Sequence, residues 1–323
     1  MKQLTSLEEF SRWMQSNGFV PSDIEKLKNI SSLDLSKKKI RELPPSIESL
    51  ENLQVLKLSS NRLKNLPSAL GNLKSLKNLQ CENNLLEALP PEIGNLSSLL
   101  ILNLNGNRLT HLPEELSNLK KLTRLTVAAN FLKELPQSFE KLSKLLYLSI
   151  DTNDLEEIPE IFGSMHTLYY LDLSYNKLTH LPQSLGLISE LETFLLEGNG
   201  IQDLPSLEAH NMLMRLNLND NNLSELDFDI SLMEDLQILT LDNNNLEHLP
   251  ESICKLSHLN HLSISANNLQ SLPECFGELE NLIELDIEEN KISQLPKSFT
   301  KLKKLKVLYK DDSVTLNGTL FES

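Results

Sequence analysis

Short runs in which leucine alternates with another residue recur along the chain at a nearly constant interval. Leu56-Lys57-Leu58 is one example, and equivalent runs follow every 23 residues. Each run predicts a short strand with one buried face. A Leu-Pro pair follows most runs at the same spacing, with prolines at Pro44, Pro67, Pro90, Pro113, Pro136, Pro159, Pro182, Pro205, Pro250, Pro273 and Pro296. Such a period is typical of a solenoid, in which stacked units share one core.

The repeating unit reads L-x-x-L-x-L-x-x-N-x-L-x-x-L-P-x-x-ϕ-G/x-x-L-x-x, where ϕ is apolar, and its positions are numbered from the first leucine. The asparagine at position 9 is predicted to bond the backbone of adjacent coils where the chain leaves the strand. Proline at position 15 fixes φ where no strand needs its N–H. Twelve units begin at Ile30, Leu53, Leu76, Leu99, Leu122, Leu145, Leu168, Leu191, Leu213, Leu236, Leu259 and Leu282, and a broken one at Leu305.

This pattern resembles the leucine-rich-repeat proteins of the 23-residue intracellular class, which include bacterial leucine-rich-repeat effector proteins. The resemblance covers about residues 20–310. It implies an α/β solenoid: a horseshoe with a parallel sheet on its concave side and short irregular or 3-10 segments on its convex side. The sequence supports the sheet independently, because each three-residue strand is too short to be stable unless it pairs with its neighbour.

Three parts are predicted along the chain: an N-terminal cap over 1–29, twelve repeats over 30–304, and a partial repeat with a C-terminal tail over 305–323. The cap is expected to hold a helix over about 6–17 and a half-repeat over 20–29. It would cover the core that the first repeat leaves exposed. A partner-binding helix is the alternative.

The predicted cap helix carries its own end signals. Ser6 and Glu9 are the expected capping box, and Gly18 is the expected terminator. Its apolar face consists of Leu7, Phe10, Trp13 and Met14. A buried Trp13 is expected from this pattern.

Two segments depart from the repeat. The unit at Leu191 has 22 residues, and the next unit has Asp227 in place of proline. The return segment is therefore expected to be altered between about residues 205 and 235, through drift or through a change of curvature. The tail, which ends near Leu320 and Phe321, is expected to be a cap or a loose tail, and it also resembles the export signals of type IV secreted bacterial effectors.

Composition and charge exclude some classes of binding partner and indicate where the protein is located. The formal net charge of −15 argues against nucleic acid and against a polybasic membrane surface. No signal peptide and no membrane span are predicted. With cysteine only at Cys81, Cys254 and Cys275, no disulfide is expected, because Cys254 and Cys275 occupy different positions of their units. The sequence thus predicts a cytoplasmic protein, or one exported into a host cytoplasm without a cleaved signal peptide.

No catalytic or phosphate-binding motif is present in the sequence. His111, His180 and His248 share one repeat position but lie three units apart or more, too far to hold one metal ion. No cofactor, no metal and no enzymatic activity are therefore predicted.

The solvent side of the strands is where the chain varies. Tyrosines cluster there at mid-chain, and Phe131 occupies a normally exposed position. Exposed charges are mainly basic in the first five units and mainly acidic in units six to twelve. The candidate partner-binding residues are Arg124, Phe131, Tyr147, Asp151, Tyr170, Asp172, Tyr175, Glu197, Arg215 and Asp242. Tyr147 and Tyr170 share position 3 of neighbouring units, so their Cα atoms are expected about 5 Å apart.

These observations predict a non-enzymatic protein-protein interaction module that binds a partner on its concave face. The partner is expected to be a protein with a basic surface, bound by a monomer. The resemblance adds that a secreted bacterial effector could use such a face on a host protein. A self-associating structural scaffold is the alternative, and an unrecognised enzyme comes third.

Overall fold

The chain divides into two compact parts, residues 1–155 (called the first unit) and residues 156–323 (called the second unit), and each of them contains several of the twelve repeat units. The structure is a computed structural model that describes residues 5–207, 209–316 and 319–320. The unit boundary falls inside the sixth repeat. The division into cap, repeats and tail stays a prediction.

The first unit contains a sheet of parallel strands, each formed by positions 3–5 of one repeat. Position 4 is a fully buried leucine, as at Leu56, because alternate side chains of a strand point to opposite faces. Equivalent positions lie side by side, so that Ser32 pairs with Val55 and Arg124 with Tyr147. The strands are β1 (Ser32–Asp34), β2 (Val55–Lys57), β3 (Asn78–Gln80), β4 (Ile101–Asn103), β5 (Arg124–Thr126) and β6 (Tyr147–Ser149). The predicted parallel sheet is confirmed.

The second unit continues the pattern. Its parallel strands are β7 (Tyr170–Asp172), β8 (Thr193–Leu195), β9 (Arg215–Asn217), β10 (Ile238–Thr240), β11 (His261–Ser263), β12 (Glu284–Asp286) and β14 (Val307–Tyr309). A small second sheet joins β13 (Gln294–Leu295), β15 (Thr315–Leu316) and β16 (Thr319–Leu320). Since β15 pairs with β13, and β16 with β15, the described tail is part of a small sheet and is not loose chain. Phe321 and the Leu320 side chain lie outside the described residues.

The asparagine of position 9 joins neighbouring coils as predicted. Asn107 Oδ1 accepts a hydrogen bond from the backbone N–H of Leu86, at 3.0 Å, in the preceding unit. Its Nδ2 donates to the carbonyls of Leu104 at 2.8 Å and Cys81 at 3.1 Å. One side chain therefore satisfies three backbone groups that the turn buries. The same set of bonds forms at Asn84, Asn130, Asn153, Asn199, Asn221, Asn244, Asn267 and Asn290.

Position 8, directly before the asparagine, has a left-handed backbone in all twelve units. Only Gly106 and Gly198 meet this demand without a side chain. The other ten are Lys37, Ser60, Asn83, Ala129, Thr152, Tyr175, Asp220, Asn243, Ala266 and Glu289. For a bulky residue such as Tyr175 this conformation is unusual, so surrounding contacts must hold it.

The return segments are short 3-10 helices, as the resemblance implied. Most of them start directly after the position-15 proline, whose fixed φ sets their entry. Their bounds are Pro45–Ser49, Ser68–Asn72, Pro91–Asn95, Glu114–Asn118, Gln137–Lys141, Phe162–Ser164, Gln183–Leu187, Ile230–Leu232, Glu251–Lys255, Phe276–Glu278 and Lys297–Lys301. Between β8 and β9 the described residues contain no such helix, which confirms an altered return between residues 205 and 235.

Return segments of neighbouring units lie offset by two residues. A β-carbon added to Gly71, at position 19, would stand 2.3 Å from the carbonyl oxygen of Glu92, at position 17 of the next unit. Gly94 meets Glu115 in the same way. This close approach explains why Gly71 and Gly94 have no side chain.

The expectation that Cys254 and Cys275 stay apart is wrong. They form a disulfide across a Cα–Cα distance of 5.8 Å. The physical reason is the same offset, because Cys254 occupies position 19 and Cys275 occupies position 17 of the next unit. Different repeat positions are thus the condition for this contact. The cysteines consequently give no support to a reducing compartment.

The N-terminal cap is helical, with α1 over Ser6–Ser16 and α2 over Ile24–Lys28. The predicted capping box at Ser6 and Glu9 is wrong by one residue. Thr5 is the N-cap, and its side chain accepts from the Glu8 N–H while the Glu8 carboxylate accepts from the Thr5 N–H. Gly18, the residue after the C-cap Asn17, has φ +67°, as a terminator requires.

The buried face of α1 packs against the 3-10 helix Pro45–Ser49. Phe10 and Met14 are fully buried. Trp13 is only half-buried, contrary to expectation, because its ring lies at the rim between Phe10 and Phe19 with both centroids 5.5 Å away. The helix covers the start of the core with Phe10 rather than with the tryptophan.

Phe10→Ala should therefore lower the free energy of unfolding by about 3 kcal/mol or more, because it empties a fully buried aromatic site. Denaturant unfolding measures the change. Arg12→Ala, on the exposed side of the same helix, is the matched control and should stay within about 0.5 kcal/mol of wild type. A Phe10→Ala protein as stable as the control would show that α1 is not a cap.

Reducing the Cys254–Cys275 bond should lower stability by up to about 3 kcal/mol, the loop entropy expected for a sequence separation of 21 residues. Mass spectrometry of alkylated protein measures the oxidised fraction, and denaturant unfolding with and without reductant measures the effect. A Cys254→Ser/Cys275→Ser double variant should be insensitive to reductant. An equal response in that variant would contradict the assignment.

Candidate protein-binding surface

The strand face is defined as the solvent-exposed side chains of positions 3, 5, 7, 8 and 10. In the first unit it includes an aromatic-cationic pair. Arg124 and Tyr147 are partners across β5 and β6, and the Arg124 guanidinium carbon lies 3.8 Å from the centre of the Tyr147 ring. This is a cation–π contact. It joins two of the residues predicted from sequence into one surface feature.

Two further candidates lie in the first unit. Phe131 is exposed over 52 % of its surface, as its place in the repeat predicted. Asp151 accepts a hydrogen bond from Ser149 Oγ at 2.7 Å and one from Thr152 Oγ1 at 3.3 Å. These bonds fix the carboxylate next to β6.

In the second unit, Tyr170 and Asp172 share the outward face of β7. The Tyr170 hydroxyl lies 3.3 Å from Asp172 Oδ2, and Asp172 Oδ1 accepts from the Ser174 N–H at 3.0 Å. Tyr147 belongs to the first unit and Tyr170 to the second. The predicted spacing between these two rings stays a prediction.

Tyr175 lies at the turn after β7, and three neighbours hold it. Its ring covers Gly198 so closely that a β-carbon there would stand 2.5 Å from Tyr175 Cδ1. Its hydroxyl donates to Glu197 Oε1, and Glu197 Oε2 accepts from Asn217 Nδ2 at 2.8 Å. The ring nevertheless stays 51 % exposed. Tyr175 and Glu197, both predicted, thus act together, whereas Gly198 and Asn217 were missed because nothing in one unit indicates the next unit's side chains.

Neighbouring carboxylates change the pKa of Tyr175. The hydrogen bond to Glu197 raises the pKa of Tyr175 to about 12, and the negative charges of Glu197, Asp220 and Asp172 contribute. Ionising the phenol would replace that bond with repulsion. The aromatic ring is therefore surrounded by carboxylates.

Arg215 and Asp242 differ in role. Arg215 is exposed at the start of β9. Asp242 Oδ1 accepts from Ser263 Oγ at 2.6 Å, from the Ser265 N–H at 2.7 Å and from Ser265 Oγ at 2.9 Å. The Asp242 carboxylate thereby joins two repeats, a structural contact that sequence reasoning missed.

The acidic surface extends to the end of the second unit. Burial raises the pKa of Asp286, and the charges of Asp242 and Glu284 raise it further. His261 Nδ1 lies 3.2 Å from Glu284 Oε2. Negative charge is therefore concentrated on the strand face of this unit.

Nothing in the described chain resembles a metal centre, since no group of three or more His, Cys, Asp or Glu side chains there could hold an ion. Cys81 is fully buried, and burial raises the pKa of its thiol, which makes it a core residue rather than a nucleophile. Across the same described residues, no helix has the length and apolar content that a bilayer span requires.

Comparison with known families agrees with this architecture. Residues 5–104, 91–169 and 251–321 match the family described as a leucine-rich repeat region. The chain belongs to the leucine-rich-repeat family. Shorter matches to the single leucine-rich repeat cover 167–187 and 235–256.

Several solved leucine-rich-repeat structures resemble this one. A leucine-rich-repeat protein of Leptospira interrogans has 34 % identity and a TM-score of 0.84, over 92 % of this chain and 82 % of the other. YopM of Yersinia enterocolitica has 27 % identity and a TM-score of 0.72, over 97 % of this chain and 65 % of YopM. The ectodomain of the Arabidopsis thaliana receptor kinase GASSHO1/SCHENGEN3, solved in complex with CASPARIAN STRIP INTEGRITY FACTOR 2, has 28 % identity and a TM-score of 0.74, over 88 % and 39 %. No curated protein matches the chain significantly.

Tyr175 should be among the last tyrosines to ionise in an alkaline titration followed by phenolate absorbance. Its folded pKa is about 12 against an ordinary value of 10.0. Because the folded pKa is raised, the stabilisation from its hydroxyl is complete below pH 10 and is lost as the pH rises towards 12. Tyr175→Phe should remove this late phase, and Glu197→Gln should move it towards 10. A late phase that persists in Tyr175→Phe would contradict the assignment.

Proposed function

We propose that this leucine-rich-repeat protein is a non-enzymatic binding module whose partner protein contacts the strand face. The observation that supports this most directly is the set of contacts around Tyr175. An exposed aromatic ring, which the repeat does not require, is held in one position by Gly198 and Glu197. A side chain ordered before binding loses less entropy when the partner arrives.

The contact residues are proposed for each unit separately. In the first unit they are Arg124, Phe131, Tyr147 and Asp151, and in the second unit Tyr170, Asp172, Tyr175, Glu197, Arg215 and Asp242. Tyrosine and arginine are enriched among the residues that dominate binding energy. Support also comes from the plant receptor ectodomain named above, which has this fold and was solved with a bound factor.

The partner is proposed to have a basic surface where it meets the second unit. Carboxylates surround Tyr175, and the pKa of Asp286 is raised in part by neighbouring negative charge. A complementary positive surface would relieve this repulsion and accelerate encounter.

The same proposal treats the protein as a monomer and as a bacterial effector that acts on a host protein. The bacterial part of this proposal is supported by the similarity to the Leptospira protein and to YopM. Both locations that the sequence predicted, the cytoplasm and a host cytoplasm, are reducing, whereas disulfides persist in oxidising surroundings, so the Cys254–Cys275 bond favours neither of them. A self-associating scaffold is the alternative, and light scattering that shows an oligomer would favour it.

Tyr170→Ala should weaken partner binding by about 2 kcal/mol, because it removes an aromatic contact from the proposed surface. Its folding stability should change by no more than about 0.5 kcal/mol, since other units have Thr193 or Ser32 at that position. The partner is isolated from host lysate on immobilised protein and then purified. Surface plasmon resonance measures its affinity and its association rate at several salt concentrations.

The matched control is Tyr169→Ala, which removes a tyrosine exposed over 39 % at position 2, off the strand face, and should leave affinity unchanged. Glu288→Lys should slow association, because Glu288 is exposed and the substitution reverses one charge on the acidic surface. Equal losses from Tyr169→Ala and Tyr170→Ala would refute the strand-face site. An association rate independent of salt would refute the basic partner.

A further inference from the structure

A second exposed apolar surface lies away from the strand face, on the edge where the return segments lead back into the strands of the second unit. Leu187 is exposed over 57 %, Met212 over 38 %, Met214 over 40 % and Leu232 over 39 %. Together with exposed Ala209 these residues are named the return-edge patch. Isolated exposed leucines are common on protein surfaces, but a group of them in neighbouring units needs an explanation.

For four of these five residues, all except Met214, the repeat itself shows that an apolar side chain is not structural. Leu187, Ala209 and Leu232 occupy position 20 in three consecutive units. In the shortened unit this assignment rests on the backbone, because the Leu213 N–H donates to the His210 carbonyl just as the Leu236 N–H donates to the carbonyl of Met233, at position 21. His210 is therefore the equivalent of position 21. The nine other units have a polar residue there: Ser49, Asn72, Asn95, Asn118, Lys141, Ser164, Lys255, Glu278 and Lys301. Met212 occupies position 23, where the other eleven units have polar residues. Nothing in the fold therefore requires an apolar side chain at these places.

The backbone holds these segments side by side. Gly186 approaches Ser206 so closely that an added β-carbon would stand 2.2 Å from the Ser206 carbonyl oxygen. The Met214 N–H donates to the Glu192 carbonyl at 2.9 Å, and the Asp235 N–H to the Asn211 carbonyl at 3.4 Å. The patch coincides with the shortened unit, so the irregularity and the apolar surface occur together.

The charges at the rim determine what this surface fits. Glu190 and Asp235 occupy position 23 on either side of Met212, and Glu234 lies beside Asp235, all of them exposed. Lys255, at position 20 of the next unit, is the basic neighbour. An acidic rim on a chain of net charge −15 disfavours a second copy of the same chain. It favours a partner segment whose apolar side chains are flanked by lysine or arginine.

We propose that the return-edge patch is a docking surface for a basic amphipathic segment of a partner protein. Methionine suits this role, because its flexible side chain adapts to varied apolar shapes. Among the described methionines, Met212 and Met214 are exposed while Met14, Met165 and Met233 are buried. The surface is separate from the strand face, so this site stands or falls independently of the function proposed above.

The test uses the full chain and a fluorescent amphipathic helical peptide of leucine and lysine, with a leucine and glutamate peptide for comparison. Anisotropy should show binding of the lysine peptide that weakens with salt. The triple variant Leu187→Asn/Met212→Ser/Leu232→Asn, which introduces only residues found at these positions in other units, should weaken it at least tenfold. Glu190→Gln/Asp235→Asn should weaken it several-fold while the apolar surface stays intact.

Two controls separate this patch from other surfaces. Leu100→Thr/Ile283→Thr removes two side chains of similar exposure, 37 % and 40 %, outside the patch and should change nothing. Tyr170→Ala tests the strand face and should also leave peptide affinity unchanged. Equal affinity of wild type and the triple variant, or equal binding of the glutamate peptide, would overturn the proposal. A wild-type dimer that the triple variant abolishes would also overturn it, in favour of a second copy.

A measurement on the wild-type protein removes any dependence on how the variants fold. Methyl-labelled methionine reports each site by NMR during a titration with the lysine peptide. The Met212 and Met214 signals should shift, and those of buried Met14 and Met165 should not. Unchanged Met212 and Met214 signals at saturation would overturn the proposal.

Discussion

The asparagine at position 9 is the interaction on which the rest of the fold depends. Each repeat must turn off its strand after three residues, and that turn buries backbone groups that no strand partner can reach. Asn107 satisfies three of them, in its own unit and in the preceding one. Unpaired groups of this kind would each cost about 1–3 kcal/mol. The same amide fixes the spacing of adjacent coils, so strand register, return segments and surface columns follow from it.

The second constraint is the offset between neighbouring return segments. At Gly71, Gly94 and Gly277, position 19 of one unit faces position 17 of the next, too closely for a β-carbon unless the backbone shifts. Glycine fills position 19 at Gly71 and Gly94, whereas Cys254 fills it by bonding covalently to Cys275. The same offset therefore accounts for Gly71 and Gly94 and for the disulfide.

Features that follow from the repeated pattern were predictable, including the bonds of asparagine to adjacent coils, whereas contacts that join different positions of neighbouring units were not. Period, strands, proline-led returns and the role of asparagine all follow from a pattern that each unit repeats. The Cys254–Cys275 bond, the Tyr175 contact with Gly198 and the Asp242 link to Ser263 depend on which positions face each other across units. Hydrophobic periodicity does not contain that offset. The capping box shifted to Thr5 for a smaller reason, since Ser6 and Thr5 both suit an N-cap.

The repeat also provides a way to recognise functional residues without related sequences. Twelve units place twelve residues in one environment, so a departure that the fold does not require indicates another demand on that position. Asp242 shares position 7 with Asp151 and bonds Ser263 and Ser265, which makes it at least partly structural. Leu187 and Leu232 depart from theirs towards greater apolar exposure, where polar residues serve in nine other units. Exposing such side chains gives the isolated chain no stability, which is why the return-edge patch is proposed as a contact with another protein.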